Sequence, residues 1–320
     1  MKLYRNKFGV LSIRLMGLEI SASKFRSSIA ADSAYLKKYF NDTFLEMIEA
    51  NAKCNLDRDF SVLSFADASV VTNMLKCYGI VKCSSLQSIL DVSKKLRSDL
   101  DSFAKKSNYY RDVSFADEKL EFDIDDSNQE KSYDYYTSRN KTVVNLRGRT
   151  SRVDEGMIDI FNPEFYFDIF RVLKAEVQKL KVEDILTEIN NEQYELKNCN
   201  IYINKSVTHT RGMHVDDYTN SSYKLFVYLT DVTDLKFGPY SYLTKSHRRP
   251  EGLERISYSL AAQLHADEND IHFALGSEHA VPLFGDTGSI IISNQSGAHQ
   301  GYPQKIDAQR SLAVFHYNKV

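Results

Sequence analysis

The run KLFVYLTDV, Lys224 to Val232, decides how the second half of this chain is read. In an extended strand successive side chains leave on opposite faces, so Lys224, Phe226 and Tyr228 share one face and Leu225, Val227 and Leu229 the other. If the first face looks into a barrel, Lys224 is a buried cation that needs an anionic partner, which a co-substrate or an acidic substrate group can supply. Similar short runs, NIYIN, YSYLT, SIIIS and SLAVFHY, lie on either side, separated by Gly, Pro, Asn, Asp and Ser. The pattern predicts an antiparallel all-β region of jelly-roll or barrel type.

The front of the chain reads differently. Its first 162 residues contain no proline, which predicts a helix-rich front and a turn-rich back. Ser23 to Lys53 has helical spacing of apolar residues, including Ile29, Leu36, Phe40, Phe44 and Met47. Asp67 to Lys76 predicts a helix closed by Gly79, followed by the strand GIVKC and a second helix with Leu86, Ile89, Leu90, Leu96, Leu100 and Phe103 largely on one face. Residues 107–140, rich in tyrosine and acid, read as a mobile loop and a candidate lid. TVVNLRG, Thr142 to Gly148, is strand-like. Asn162-Pro163 predicts the start of one helix running to about Lys181, with Phe165, Ile169, Phe170, Leu173, Val177 and Leu180 turned inward. Residues 248–280 form an insertion, a second candidate lid.

Bulk properties narrow the function. The chain has 320 residues, 42% hydrophobic and 12% aromatic, enough for a sizeable core. A net charge of −2 provides no whole-chain field favouring nucleic acid or anionic lipid. The four cysteines, Cys54, Cys77, Cys83 and Cys199, show no metal-finger spacing, and no stretch approaches the ~20 apolar residues of a membrane span. The expectation is a cytoplasmic protein with a small-molecule substrate and neither a nucleic-acid nor a membrane partner.

All eight histidines fall between His209 and His316, inside the β region. In GMHVDDY, residues 212–218, strand parity puts His214 and Asp216 on one face and Asp217 on the other. One imidazole and one carboxylate on one face can chelate one metal, and His299, in GAHQGYP, is the best third ligand. Two histidines and a carboxylate form the facial triad of non-haem Fe(II) oxygenases, which leaves coordination positions open. Arg310 follows eleven residues after His299. An antiparallel hairpin about Pro303 to Ile306 would set the two residues opposite each other, with the guanidinium placed to grip the far carboxylate of a metal-chelating dicarboxylate, namely 2-oxoglutarate. A second H-x-D, His265 to Asp267, sits in a helical stretch where i and i+2 do not share a face.

GMHVDDY, KLFVYLTDVTDLKFGPYSYLTKSHRR, GDTGSIIISNQSGAHQGYP and QRSLAVFHY together resemble the phytanoyl-CoA dioxygenase-like branch of the Fe(II)/2-oxoglutarate-dependent dioxygenases. The resemblance covers roughly residues 66–320. It implies a mainly β core with flanking helices, a double-stranded β-helix (jelly roll, cupin-like). Residues 1–65 match nothing in the family and read as a helical N-terminal extension packed on the core. The resemblance also implies His214, Asp216 and His299 on iron, Arg310 on the 2-oxoglutarate C5 carboxylate, and the Asn204 amide helping to hold the co-substrate. The implied activity is C–H hydroxylation coupled to conversion of 2-oxoglutarate and O₂ to succinate and CO₂. Since Asp216 supplies the carboxylate ligand, no position is vacant for halide. The alternatives are a non-catalytic metal- or ligand-binding β-helix module and a zinc hydrolase. Lys245 departs from the family pattern, which has glycine before Ser246-His247.

Overall fold

Tyr, Val, Ile and Phe dominate the second half of the chain at alternating positions, and strands form there. The computed structural model describes residues 2–5, 11–15, 18–21, 65, 68–106, 113–115, 122–124, 133–138, 142–147, 154–210, 214–216, 221–248 and 280–320. In chain order these form β1 (Lys2–Arg5), β2 (Leu11–Leu15), β3 (Leu18–Ser21), α1 (Ala68–Tyr78), β4 (Ile80–Cys83), α2 (Gln87–Phe103), β5 (Ala104–Lys106) and β6 (Val113–Phe115). There follow β7 (Phe122–Ile124), β8 (Tyr133–Ser138), β9 (Val143–Arg147), β10 (Met157–Phe161), α3 (Asp168–Gln178), α4 (Val182–Asn190) and β11 (Tyr194–Lys205). The rest is β12 (Ser222–Tyr228), β13 (Tyr240–Tyr242), β14 (Val281–Leu283), β15 (Ile290–Asn294), β16 (His299–Gly301) and β17 (Gln309–Lys319).

Two antiparallel sheets make the core. The larger has nine strands in the order β4-β15-β12-β17-β11-β10-β9-β8-β7, and the smaller has three, β14-β13-β16. An isolated antiparallel bridge between His214 and His299 adds a further position beside β16. Let β11 be I, the His214 bridge II, β12 III, β13 IV, β14 V, β15 VI, β16 VII and β17 VIII. The large sheet then runs I-VIII-III-VI and the small one II-VII-IV-V. This is the connectivity of a double-stranded β-helix, the form of jelly roll that the family resemblance implies.

Strand parity divides the interior in two. Leu225 and Val227 of β12, Ile290 and Ile292 of β15, and Ala313, Phe315 and Tyr317 of β17 pack on the helical side with Phe170, Leu173 and Val177 of α3. The Phe170 and Phe315 rings stack with centroids 5.6 Å apart. The alternate residues Phe226, Tyr228, Ile291, Leu312 and Val314 meet Tyr240, Tyr242 and Leu283 of the small sheet inside the barrel. Gly79 closes α1 at φ 77°, and a Cβ there would lie 2.4 Å from the Tyr242 hydroxyl, so only glycine lets the helix end against the barrel.

Four expectations change. The described part of the 1–65 extension is not helical: β1, β2 and β3 form an antiparallel sheet, consistent with the apolar-polar alternation of LSIRL. The helices expected within Ser23 to Lys53 lie outside the described residues. Within 107–140, β8 pairs with β9 through Tyr135 opposite Asn145, and β7 pairs with β8, so residues 122–124 and 133–138 extend the large sheet, while β6 pairs with β5 and the rest of the segment lies outside the described residues. The segment's acid content masks a tyrosine-rich strand, YDYYTS, stabilised by a ready edge. The single helix expected from Pro163 is broken: Asn162 is left-handed at φ 53°, a three-residue 3₁₀ turn follows, and Phe167 is extended before α3. The break turns Phe165 outward, 50% exposed, and puts Phe167 in the core.

The fourth concerns His299 and Arg310. β16 and β17 are not hairpin partners: β16 pairs with β13, whereas β17 pairs with β11 and β12. The chain changes sheets between the two residues, because turn residues 302–308 lead across the barrel instead of back along it. Among the described residues no helix is long and apolar enough to cross a membrane.

Phe315 is fully buried at the seam between sheet and helices. Phe315→Ala should lower unfolding free energy by about 3–5 kcal/mol in urea denaturation, the usual cost of deleting a buried aromatic ring. A loss under about 1 kcal/mol would show that α3 is not fixed on the sheet in this way.

Candidate metal centre

The His214 to His299 bridge builds the site. His214 N donates to His299 O at 3.0 Å and His299 N donates to His214 O at 2.8 Å, which sets the two rings side by side with centroids 4.5 Å apart. Two residues on, Asp216 N donates to Gln295 O at 3.2 Å, so the carboxylate returns to the same face. Asp216 Oδ1 lies 3.5 Å from His214 Nε2, and Oδ2 lies 3.5 Å from His299 Nε2. One ligand atom from each residue falls within 4.8 Å of the others, so the three can hold a metal ion.

The surroundings prepare these donors. Both histidines are buried. His299 Nδ1 lies 2.9 Å from Gly297 O. A backbone carbonyl can only accept, so Nδ1 carries the proton and Nε2 offers its lone pair to the cavity. The Tyr240 ring packs 5.5 Å from that of His299, and its hydroxyl is 2.8 Å from Ser293 Oγ. Lys224 Nζ donates to Asp216 Oδ2 at 2.5 Å. Burial would raise the Asp216 carboxyl, but Lys224, His299 and His214 outweigh it and hold the group well below the usual carboxylate range. The anionic partner that Lys224 needs is thus the carboxylate of the triad itself.

Arg310 lines the same cavity, of about 150 Å³, from the large sheet. It is 6% exposed, and Asn204, its register partner on β11, is 3% exposed. The Arg310 guanidinium donates to Gly238 O through Nη1. Its Nε and Asn204 Oδ1 are buried without a hydrogen-bond partner. Such atoms are costly to leave unmade and mark a place where a polar ligand fits. Gly301 permits the arrangement, since a Cβ there would come within 3.2 Å of Arg310 Nη2. Arg310 therefore faces the triad across the lumen, not along a hairpin.

Sequence reading missed a second polar group on this wall. Arg147 Nε donates to Asp159 Oδ2 at 2.6 Å and Nη1 to Asp154 Oδ2 at 3.3 Å; Asn145 Nδ2 also donates to Asp159, at 3.1 Å. Arg147 and Asp154 line the cavity. The available signal was parity, with Asn145 and Arg147 in VVNLR and Asp159 in MIDIF at alternate positions of otherwise apolar strands. His209 is exposed and its ring pairs with Thr208 Oγ1. His265 and Asp267 lie outside the described residues.

No protein-family model matches the chain, and no curated protein matches it. Solved structures with a similar course of chain include SnoN from nogalamycin biosynthesis, a non-heme alpha ketoglutarate dependent epimerase, at 11% identity and TM-score 0.46, covering 79% of this chain and 83% of that one. HygX from Streptomyces hygroscopicus, with nickel and 2-oxoglutarate bound, has 11% identity and TM-score 0.45 over 78% of this chain and 85% of its own. EvdO2 from Micromonospora carbonacea var. aurantiaca has 14% identity and TM-score 0.49 over 78% and 89%. Likeness at this level assigns no residue and no substrate to this chain.

His316, opposite Lys224 in the β17 pairing, reports on this interior. Burial first, and Lys224 next, push its pKa from 6.5 down to about 3. Because the folded value is the lower one, stability is full above about pH 6.5 and falls as acid protonates the unfolded chain first. Between about pH 7.5 and pH 5 the protein should lose about 2 kcal/mol through His316. In His316→Gln that part of the pH dependence should vanish; an unchanged slope in chemical denaturation would place His316 in contact with water.

Proposed function

We propose that this chain is an Fe(II)- and 2-oxoglutarate-dependent dioxygenase that hydroxylates a C–H bond of a small molecule. The observation that carries the reading is one cavity with two imidazoles and a carboxylate on one wall and a buried, under-bonded arginine on the other. The donor set suits a divalent iron, since nitrogen and oxygen ligands occupy one side only and leave positions for a bidentate co-substrate and O₂. With the metal bound, such a site supplies oxidative decarboxylation of 2-oxoglutarate to succinate and CO₂, coupled to insertion of one oxygen atom into a substrate C–H bond.

The chain's own residues account for the rest. His299 is held by Gly297 O in the tautomer that presents Nε2, and Asp216 remains ionised at neutral pH. Arg310 offers fixed charge and directional donors to the far carboxylate of the co-substrate, which Lys could not match bidentately. Asn204 beside it has an amide Oδ1 without a hydrogen-bond partner, and with the amide flipped its NH2 would donate to the same carboxylate. A cavity of about 150 Å³ suits a small organic acid. The low net charge agrees with a small-molecule substrate and with no role for nucleic acid or membrane. A hydrolytic zinc site or a binding module without turnover would leave Arg310 buried for no purpose.

Replacing His299 by alanine should weaken Mn(II) or Fe(II) binding by about a hundredfold or more, since one of three ligands is lost. Arg310→Met should keep the metal but lose 2-oxoglutarate affinity by about 2–3 kcal/mol, the value of a charge-assisted contact. Anaerobic calorimetry measures both. If 2-oxoglutarate binding does not depend on the metal, the reading is wrong.

A further inference from the structure

A divalent cation is held most readily where the protein already carries negative charge, and the triad carries one such charge, on Asp216. Lys224 cancels it. Its Nζ is 2.5 Å from Asp216 Oδ2, nearer than the histidine nitrogens at 3.5 Å from their carboxylate oxygens. The sheet enforces this position. β12 is paired along both edges, with Lys224 opposite His316 of β17 and Ser293 of β15, and parity turns the side chain into the lumen. The lysine side chain keeps 13% of its surface accessible and that of Asp216 28%, so this pair is screened less than a surface ion pair.

The formal charges have a consequence for binding order. Counted as metal ligands the two imidazoles carry no charge, so Asp216 and Lys224 sum to zero; of the other charged groups lining the cavity Arg147 and Asp154 pair with each other, and Arg310 adds a positive charge. A metal ion arriving alone meets a wall of net positive charge. A dicarboxylate with two negative charges compensates the arginine and turns the net charge of the wall negative, which favours a divalent cation. We propose that Lys224 is a positioning residue that couples metal retention to the dicarboxylate. It engages Asp216 Oδ2, the oxygen that also lies 3.5 Å from His299 Nε2, and keeps metal affinity low until an anionic co-ligand enters. The coupling presupposes the iron and 2-oxoglutarate site proposed above.

Titration of Mn(II), a redox-stable stand-in for Fe(II), into the full chain with and without saturating 2-oxoglutarate reads this coupling. In the wild-type protein 2-oxoglutarate should tighten Mn(II) about tenfold or more. In Lys224→Met and Lys224→Gln, Mn(II) alone should bind about tenfold more tightly, and the effect of 2-oxoglutarate should shrink in proportion. Lys224→Arg, which keeps the charge, should follow the wild type. Mn(II) affinity that is unchanged or weaker in folded neutral variants overturns the proposal. So does a wild-type Mn(II) affinity indifferent to 2-oxoglutarate, a result that needs no variant. If the wild-type chain binds no Mn(II) under either condition, the iron reading itself fails and the coupling with it.

Discussion

Successive side chains of a strand face opposite ways, and this constraint governs everything else in the molecule. The long strands β11, β12, β15 and β17 each serve two environments. One set of alternate residues builds a dry layer against α3, the other builds a lumen that tolerates Asn204, Lys224 and Arg310. A slip of one residue in any of these pairings would exchange the two sets, burying charge under helices and putting leucine in the lumen. The apolar layer therefore fixes the register on which the site depends.

The lumen concentrates charge at a cost. An ion drawn partly or wholly out of water loses hydration, and the loss is offset only where partners are close and directional. Lys224 with Asp216 and Arg147 with Asp159, at 2.5 and 2.6 Å, meet that condition within the protein. Arg310 meets it less fully, with Gly238 O as its acceptor and Nε left over. The difference separates groups that are satisfied by the fold from groups that await a ligand. Stability of the barrel and readiness for an anion are thus set by the same few side chains.

The legible parts of the sequence were those in which chemistry is local. His214 and Asp216 could be paired because they sit two residues apart in extended chain, and an antiparallel jelly roll or barrel could be read from short β-rich runs and their spacing. Arg310 could be marked but not placed: its route to His299 crosses from one sheet to the other, and sequence separation along a turn does not tell crossing from doubling back. β8 was hidden because its stability comes from the edge that β9 offers. Arg147 and Asp159 were missed for a related reason, since each has meaning only when β9 and β10 are laid side by side. The anionic partner of Lys224 lay eight residues away in the chain, in the metal motif, and became evident only once the barrel closed.

The central claim is that one cavity holds a metal on three protein ligands and a dicarboxylate between that metal and Arg310. A crystal structure grown anaerobically with Mn(II) and 2-oxoglutarate, with the metal located by anomalous scattering, tests it most directly. The account predicts one ion within about 2.3 Å of His214 Nε2, an Asp216 oxygen and His299 Nε2. It also predicts the far carboxylate of 2-oxoglutarate on the Arg310 guanidinium. A metal held elsewhere, a fourth protein ligand closing the site, or an Arg310 that touches no ligand would contradict it.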